Sequence, residues 1–422
     1  LIIMILKIQI INYIKNFVKM AVIQIHINIY LIILIKICEI CNNSQLTPVL
    51  DLGSHPICDE LIPIGSDKVN EEYPINIHYC EKCYTAHQTH QVPKKKLFPS
   101  SYHYRARFTK DVLNGMEQLV NYLEEKFGSL KGKKILDIGC NDGCLLDFFK
   151  EKGAITFGVE PTGANFEAAQ KGHYVVNAYF DKDVAENHVK PDIITFTNVF
   201  AHIEDLNGLI DNLKTIMNED TLLIIENHYL GAVLERNQFD TFYHEHPRTY
   251  SLNSFYHIAK KLGREVINHE FPSRYGGNIR VVIGKGTSLD ASEVFSKEAN
   301  FSSDFKKMNN DIATWKIEKQ KEIQEAISKY GLLEAKAFPG RSAIPVKMLG
   351  LNENHILRVY EKPGSLKIGY KVPGTNIPIV SDDDMGDLSQ KPVLLNLAWH
   401  ISSEIEKYLR SKGFQGQLIN II

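Results

Sequence analysis

The side chains best suited to proton transfer lie in one run near the middle of the chain: Tyr243, His244, Glu245 and His246. A neutral imidazole, a carboxylate and a phenol can together accept and deliver a proton near neutral pH. Pro247 favours an extended backbone at His246, and in an extended run the two histidines would share one side of the chain. The phenol and the carboxylate would then share the opposite side. A His-x-His metal site and a polar surface loop are the alternatives.

A second group of functional residues surrounds a glycine loop. The apolar segment 135–138 predicts a β-strand, and Gly139 and Gly143 then bracket a tight loop whose backbone amides a ligand can approach closely. A helix over 145–152 and a strand over 155–159 are expected next. That strand ends at Glu160, about twenty residues past the first glycine, which is the spacing that places an acid on a ribose diol. Together these elements predict a nucleoside-binding βαβ unit.

The loop chemistry favours S-adenosylmethionine (SAM) over a dinucleotide. The dinucleotide fingerprint needs glycine at two positions where this chain has Asn141 and Cys144. Asp137, at the end of the first strand, would repel a pyrophosphate but attract an ammonium group. SAM has a sulfonium, an amino group and a ribose, and it has no phosphate. The alternative is an ordinary α/β crossover that binds no ligand.

Three further strands continue a doubly wound α/β pattern, at 174–178, 192–198 and 221–226. Ligands in such sheets lie beyond the carboxyl ends of the strands. This rule places four more residues near the cofactor: Asn177, Asn198, Ala201 and His202. A structural role for the histidine is favoured over a catalytic one.

Four cysteines in two pairs predict a zinc site near the beginning of the chain. The pairs are Cys38-x-x-Cys41 and Cys80-x-x-Cys83, separated by 38 residues that imply a small β-rich insert. Four thiolates suit tetrahedral zinc with no open position, which makes the site structural. We expect His55 and Cys58, inside the insert, not to be ligands. Two reduced thiol pairs without metal are the alternative.

An aromatic and basic segment, residues 97–110, connects the cysteines to the glycine loop. Tyr102 and Tyr104 flank a histidine, and two arginines follow. Tyrosine hydroxyls and guanidinium groups at this place can contact a sugar or a phosphate. Alternatively, the tyrosines pack on the amphipathic helix expected over 111–127.

The composition excludes several classes of partner. The 422 residues include 48 basic and 50 acidic side chains, so no general affinity for nucleic acid or anionic membranes is expected. Seven cysteines, four of them in Cys-x-x-Cys pairs, favour a reducing, cytoplasmic compartment over a disulfide framework. At this length two or three domains are expected.

The first 37 residues have a different character from the rest. They are rich in isoleucine, and position 1 is leucine. The longest uncharged run, 20–35, is short for a bilayer span and has no small-residue cleavage site. We interpret residues 1–37 as an upstream extension foreign to the native protein, with a hydrophobic membrane anchor as the alternative.

Several motifs occur in an order that resembles one enzyme family. After the two cysteine pairs come Leu-Asp-Ile-Gly-Cys-Asn-Asp-Gly, Gly-Val-Glu-Pro, Phe-Ala-His-Ile-Glu-Asp-Leu, Phe-Asp-Thr-Phe-Tyr-His-Glu-His and Pro-Gly-Thr-Asn-Ile-Pro-Ile. From about residue 38 to 422 the chain resembles the SAM-dependent sugar C-methyltransferases, which act on nucleotide-linked keto-sugars in deoxysugar biosynthesis. The order and spacing of the motifs carry the resemblance.

The resemblance implies three domains: a small zinc-binding domain (38–100), a SAM-binding domain with a Rossmann-like sheet (101–250) and a C-terminal α/β substrate domain (251–422). The sequence pattern agrees with the last of these. A strand is predicted over 393–399, a helix over 402–412 and a strand over 417–422.

The implied reaction is methylation of a carbon beside the ketone of a 4-keto-deoxysugar linked to a nucleotide, with thymidine diphosphate expected. The resemblance assigns the base to His246, supported by Tyr243 and Glu245, and places Tyr102 or Tyr104 in the sugar pocket. Abstraction of a proton beside a carbonyl needs such a base and a donor for the enolate oxygen. An O- or N-methyltransferase is the alternative enzyme, and a non-catalytic binding protein is the alternative of another class.

Three departures from the family pattern fall where the nucleotide-sugar is expected. Tyr275 precedes Gly276-Gly277 where histidine is usual, and Trp399 is followed by His400 where asparagine is usual. A glycine-rich stretch is replaced by Phe-Pro-Gly-Arg-Ser-Ala at 338–343. These departures concern the substrate and leave the SAM loop and the cysteine pairs unaffected.

Overall fold

A computed structural model describes residues 33–422, with the exception of the Tyr275 side chain. The interpretation of the N-terminal stretch as an extension or an anchor therefore lies mostly outside the described residues. Its last part includes a short strand, Ile33–Leu34, that pairs with His90–Gln91. Within residues 33–422, every helix is too short or too polar to cross a bilayer.

Strands and helices are numbered in chain order. The strands are β1 (Ile33–Leu34), β2 (Thr47–Pro56), β3 (Ile62–Pro63), β4 (Glu72–Cys80), β5 (Thr85–Gln88), β6 (His90–Gln91), β7 (Lys134–Ile138), β8 (Ile155–Val159), β9 (Tyr174–Val176), β10 (Ile193–Thr197), β11 (Leu222–His228), β12 (Arg248–Thr249), β13 (Glu265–Glu270), β14 (Asn278–Gly284), β15 (Leu333–Lys336), β16 (Ile356–Glu361), β17 (Tyr370–Lys371), β18 (Ile379–Ser381), β19 (Val393–Asn396) and β20 (Gln417–Asn420). The helices are α1 (Lys94–Leu97), α2 (Lys110–Phe127), α3 (Cys144–Glu151), α4 (Asn165–Gln170), α5 (Lys182–Asn187), α6 (Leu206–Ile216), α7 (Leu230–Glu235), α8 (Leu252–Leu262), α9 (Ser292–Glu298), α10 (Phe301–Tyr330), α11 (Ala343–Met348) and α12 (Ser402–Ser411).

The central sheet has the strand order β13-β14-β11-β10-β7-β8-β9. Strands β7 to β11 are parallel, and β14 and β13 extend the sheet in the antiparallel direction. The predicted doubly wound, Rossmann-like α/β sheet is confirmed. The strand predicted over 174–178 ends two residues earlier, and the one predicted over 221–226 continues to His228.

Alternate residues of the central strands enter two separate cores, because successive side chains of a strand point to opposite faces. Ile194 and Phe196 of β10 pack in a core with helices α6 and α8. The residue before them, Ile193, points to the opposite face and packs in the other core with α2 and α3. The sheet is therefore covered on both faces, and its carboxyl edge remains for a ligand.

The N-terminal sheet is completed by a distant segment. Its strand order is β12-β5-β4-β2, and β12 pairs antiparallel with β5, with Arg248 opposite His87. Strand β12 begins two residues after His246, so the sheet next to the cysteine pairs holds the segment expected to carry the base.

The C-terminal sheet is parallel, in the order β18-β16-β15-β19-β20. The predicted helix over 402–412 and strand over 417–422 are found as α12 and β20. The strand predicted over 393–399 was too long. It ends at Asn396, whose side-chain Oδ1 accepts a hydrogen bond from the Ala398 N–H at 3.0 Å and turns the chain.

One short strand pair joins the N-terminal and C-terminal parts of the described chain. Strand β17, from the C-terminal part, pairs antiparallel with β3, from the N-terminal part, with Tyr370 opposite Pro63. The Lys371 ammonium also donates to the Ser66 carbonyl oxygen at 2.8 Å. The first and last structural units are therefore in direct contact.

A buried carboxylate holds the two antiparallel strands onto the parallel sheet. Glu226 of β11 is fully buried and accepts hydrogen bonds from Arg274, from Arg280 at 2.8 Å and from Asn278 at 3.1 Å. Burial alone would raise the pKa of this carboxyl, but the two guanidinium groups lower it. The group is therefore ionised, and its partners depend on its charge.

Glu226→Leu is expected to destabilise the protein by about 3 kcal/mol or more, because removing one partner of a buried ion pair leaves the other charge uncompensated. Thermal unfolding followed by circular dichroism measures the loss. Glu270→Leu is the matched control: its carboxylate also pairs with Arg280, at 3.0 Å, but is 39% exposed. An equal fall in both variants would contradict the role assigned to burial.

Candidate active site and metal centre

The four predicted cysteine ligands converge on one point. The Sγ atoms of Cys38 and Cys83 are 3.4 Å apart, those of Cys41 and Cys80 are 3.5 Å apart, and all four lie within 4.8 Å of one another. A tetrahedron with zinc–sulfur bonds of ~2.3 Å places its sulfurs about 3.8 Å apart. The donor set fits one zinc ion with closed, structural coordination.

Both cysteine pairs have the same local backbone. The N–H groups of Asn42 and Tyr84 donate to the carbonyl oxygens of Cys38 and Cys80 at 2.9 and 2.8 Å. Each of these two residues has a φ of +59°, the left-handed conformation that closes such a turn. The other candidates of the insert, His55 and Cys58, lie outside this cluster.

The predicted SAM loop, residues 139–143, directly follows β7 at the carboxyl edge of the sheet, as the sequence indicates. Gly139 has a φ of +72°, and a Cβ there would lie 2.7 Å from a Val199 methyl group. Gly143, with a φ of +77°, caps the start of α3. Both glycines are required by conformation, and the first also by contact.

Asp137 and Glu160 form a buried acidic pair at this edge. Asp137 accepts a hydrogen bond from the Thr195 hydroxyl at 2.6 Å. The Glu160 carboxylate accepts the backbone N–H groups of Asn141 at 3.0 Å and Thr162 at 2.8 Å. Burial raises the pKa of Asp137 to about 7, the Thr195 hydrogen bond lowers it, and Glu160 raises it further. A cationic ligand fits this pair, and a pyrophosphate does not.

The asparagines predicted near the cofactor shape the backbone at the carboxyl edge of the sheet. Asn141 and Asn198 have φ values of +50° and +54°, which asparagine tolerates better than most residues. Asn198 accepts a hydrogen bond from Asn278 at 3.3 Å. Asn177, an exposed residue, donates to the Glu160 carbonyl oxygen at 2.9 Å and so holds the end of β8. Ala201 is buried in the 3-10 turn Phe200–His202.

Tyr102 and Tyr104, the two tyrosines expected in the sugar pocket, make different contacts. Tyr104 contacts the SAM loop through its backbone, since its carbonyl oxygen accepts from the Asn141 side chain at 3.1 Å. Its side chain is 37% exposed. The Tyr102 hydroxyl instead donates to Glu245 at 3.0 Å. The structure therefore brings the Tyr102 hydroxyl to one of the candidate proton-transfer residues.

Residues 243–247 form a turn, called the histidine turn below, and the expected extended run was wrong. The His246 N–H donates to the Tyr243 carbonyl oxygen at 2.8 Å. The rings of Tyr243 and His246 consequently lie on one side, with centroids 4.2 Å apart. His244 lies elsewhere, with Nε2 bonded to the Tyr73 carbonyl oxygen at 2.9 Å. Proline restrains only the residue before it, and the turn hydrogen bond determines the rest.

The two ring nitrogens of His246 have different surroundings. Its Nδ1 lies 2.9 Å from the Thr241 carbonyl oxygen, which can only accept, so the proton of the neutral ring is on Nδ1. Among the described residues Nε2 has no hydrogen-bond partner. Burial lowers the pKa of His246 well below its usual value, and the nearby His202 and His228 lower it further. The neutral ring, with Nε2 as the acceptor, is therefore the dominant form at neutral pH.

Aromatic contacts connect His246 to the carboxyl edge of the central sheet, where the cofactor is predicted. The His202 ring stacks on His246 with centroids 5.1 Å apart, and Phe98 stacks on His202, also with centroids 5.1 Å apart. Phe98 in turn meets Tyr102 edge to face at 5.4 Å. Burial lowers the pKa of His202 to about 4. The neutral His202 ring packs between the end of β10 and His246.

Glu245 is a buried carboxyl group whose pKa is raised. Burial raises its pKa well above the usual range, and the neighbouring Asp59 raises it further. One oxygen accepts from Tyr102, and the other, Oε1, is buried with no hydrogen-bond partner in the described chain. Burial likewise raises the pKa of Tyr243, with Glu245 adding to the effect. Tyr243 is therefore a proton donor at neutral pH, and Glu245 holds its proton more readily than an exposed glutamate does.

The C-terminal part contributes residues that sequence reasoning did not assign. Arg341 contacts Asp240 at 3.2 Å through Nε and the Thr241 hydroxyl at 3.3 Å through Nη1. Trp399 Nε1 donates to the same Asp240 carboxylate at 2.9 Å. These contacts hold the 3-10 turn Phe239–Thr241, whose last carbonyl fixes the His246 tautomer.

Two further histidines complete the surroundings. His228, the last residue of β11, lies 5.4 Å from His246 between ring centroids. Burial lowers its pKa to about 3 and that of His400 to about 2, with Arg341 contributing in both cases. The rule that ligands lie beyond strand ends would have found His228. His400 was noted only as a departure from the family pattern.

The glycine pair that follows one of the departures has a structural explanation. Gly276 and Gly277 have φ values of +81° and +122°. A Cβ at Gly276 would meet the Gln238 amide at 2.5 Å, and one at Gly277 would meet Ala232 at 2.4 Å. The glycine pair is therefore required by packing. The Tyr275 side chain, named with it, lies outside the described residues.

Family models match almost the whole described chain, in the expected order. A zinc binding domain matches residues 38–98, a methyltransferase domain matches 105–269 and a C-methyltransferase C-terminal domain matches 274–422. With the acidic pair and the Rossmann-like sheet, they define a SAM-dependent methyltransferase whose cofactors are SAM and zinc. The chain belongs to the C-methyltransferases that combine these three domains.

The chain is similar to individual methyltransferases over different lengths. C-methyltransferase NovU from Streptomyces niveus is 26% identical over 386 residues, covering 87% of this chain and 90% of the relative. The ubiquinone biosynthesis O-methyltransferase of Haemophilus ducreyi is 30% identical over 117 residues, or 25% of this chain and about half (49%) of the relative. A solved structure, Synechocystis magnesium protoporphyrin IX methyltransferase with bound SAH, has a TM-score of 0.35 at 16% identity, covering 42% of this chain and 84% of that one.

Cys80→Ser is expected to reduce the bound zinc from about one ion per chain to far less, because a closed site needs all four thiolates. Elemental analysis of the purified protein measures it, and loss of zinc should also lower the unfolding temperature. Cys58→Ser is the control, since this cysteine is equally buried but lies outside the cluster. Full zinc content in Cys80→Ser would refute the assigned ligand set.

Proposed function

We propose that this enzyme methylates a carbon beside the ketone of a nucleotide-linked 4-keto-deoxysugar, with thymidine diphosphate as the expected nucleotide. The observation that carries the proposal is the buried neutral imidazole of His246, whose Nδ1–H donates to Thr241 and leaves Nε2 as the proton acceptor. Carbon, unlike a hydroxyl oxygen, must lose a proton before it can attack a methyl group. The assignment of a 4-keto-deoxysugar as the substrate rests on the sequence resemblance.

The chain's own residues account for the proton transfers. His246 Nε2 removes the proton beside the ketone, and the charge that develops on the ketone oxygen needs a donor. Tyr243 and Tyr102, which burial keeps protonated, lie in or next to the histidine turn and can supply one, as can Glu245, whose pKa burial raises. Bound SAM supplies the electrophilic methyl group for the resulting carbon nucleophile.

The cofactor residues follow from the loop geometry. We assign the SAM amino group to Asp137 and the ribose hydroxyls to Glu160, because both carboxyls are buried at the carboxyl edge of the sheet. Gly139, Asn141 and Gly143 shape the loop between them. We also assign to the cofactor site four residues that follow the neighbouring strands β9 and β10: Asn177, Asn198, Ala201 and His202.

An O- or N-methyltransferase would need SAM but no base for carbon. The C-methyltransferase C-terminal domain and the buried imidazole favour the first proposal. A non-catalytic binding protein would take up SAM and sugar without product. A small-molecule partner, neither nucleic acid nor membrane, and a cytoplasmic location complete the proposal, supported by the balanced charge and the reduced cysteines.

Mass spectrometry with SAM and a panel of thymidine-diphosphate keto-sugars tests the reaction. In deuterated water the enzyme should exchange the proton beside the ketone, even without methyl transfer. His246→Ala should slow this exchange by about 100-fold or more, the typical contribution of a general base. SAM binding should be unchanged.

His244→Gln is the matched control in the same turn, because its ring faces the Tyr73 carbonyl. Retained exchange in His246→Ala would refute the assigned base. Methylation without any exchange would favour the O- or N-methyltransferase.

The SAM affinity should depend on pH through Asp137. Its pKa is raised to about 7, and an ammonium ligand binds the ionised form, so the affinity should fall as the pH decreases from 7 to 5. The limit is about tenfold per pH unit. Isothermal titration calorimetry measures this slope, which Asp137→Asn should abolish. Asp142→Asn, altered in the same loop but paired with Arg107, should keep it; a slope in Asp137→Asn would contradict the assignment.

A further inference from the structure

One residue of the zinc-binding domain holds three carbonyl groups of the histidine turn. The Gln88 backbone N–H donates to the Pro247 oxygen at 2.8 Å. Its side-chain amide donates to the Tyr243 oxygen at 2.6 Å and to the His246 oxygen at 3.2 Å. Gln88 is 2% exposed, so water does not compete for these contacts.

The second cysteine pair determines where Gln88 lies. Strand β5, which ends at Gln88, begins two residues after Cys83. The Cys83 Sγ lies 3.1 Å from the Thr85 hydroxyl, which lies 2.7 Å from the Ser254 hydroxyl at the start of α8. The strand is therefore attached to the metal site at one end and to the histidine turn at the other.

The first cysteine pair makes a parallel connection. Glu39, between Cys38 and Cys41, forms an ion pair with Arg248 at 2.6 Å. Arg248 is fully buried and directly follows the histidine turn. Both cysteine pairs thus contact the chain on the carboxyl side of the base.

We propose that the zinc-binding domain sets the geometry of the base, with Gln88 as the positioning residue that acts on the histidine turn. This inference rests on the proposed function, since it concerns how His246 is aimed. Catalytic groups displaced by about 1 Å can lose about 100-fold in rate. The three carbonyls that Gln88 binds belong to the turn that sets the direction of the His246 ring.

Gln88→Leu removes both side-chain donors at similar volume. We expect kcat for proton exchange to fall about ten- to hundredfold, with the KM for the sugar and the zinc content unchanged. The acid limb of the pH profile should also move up toward the ordinary histidine value, because a released turn exposes His246 to water and relieves its desolvation. A merely structural role would not move that limb.

Gln91→Leu is the matched control. Gln91 is also 2% exposed and lies in the same domain, but its amide donates to Glu39 at 3.0 Å and does not contact the turn. Equal kcat values and equal acid limbs in the two variants would overturn the inference. A larger loss in Gln91→Leu would overturn it as well.

A second readout separates this inference from the proposed function. If the wild-type protein exchanges no sugar proton, the proposed function fails, and the position of His246 is then followed by its acylation with diethyl pyrocarbonate. Peptide mass spectrometry across pH gives the rate and the pKa of this histidine. Faster acylation in Gln88→Leu than in Gln91→Leu supports the inference, and identical profiles overturn it.

Discussion

The hydrogen bond between His246 Nδ1 and the Thr241 carbonyl oxygen is the contact on which the site depends. It places the proton on one ring nitrogen and leaves the other as an acceptor. Arg341 and Trp399 hold the 3-10 turn that supplies this carbonyl, and Gln88 holds the turn that carries the ring. The N-terminal, central and C-terminal parts of the chain therefore together determine the protonation and the direction of the His246 ring.

Burial has opposite effects on the acids and the bases of the site. It raises the pKa values of Asp137, Asp240 and Glu245 and lowers those of His202 and His246, because desolvation disfavours every charged form. The histidines are thereby kept neutral, and the acids hold their protons more readily than they would in water. This arrangement suits proton transfer to and from an uncharged carbon acid, since little charge has to be buried before the reaction begins.

Local patterns predicted much of the structure. The cysteine spacing located the metal site, and the apolar runs located the strands of the Rossmann-like sheet, because both depend on residues close in sequence. The predicted direction of the His244 side chain was wrong because Pro247 restrains the backbone of His246 alone. Gln88 and Arg341 were missed since they meet the site across 158 and 100 residues, and no local pattern indicates such contacts.

The pairing of β3 with β17 and of β5 with β12 has a consequence for biosynthesis. Neither partner strand exists when the ribosome has made only the first hundred residues, because β12 begins at Arg248 and β17 at Tyr370. The zinc-binding domain must therefore wait, with an unpaired edge on β5, until the middle of the chain has emerged. Early metal capture by the four cysteines, all made by residue 83, would keep that edge ordered and limit aggregation during the delay.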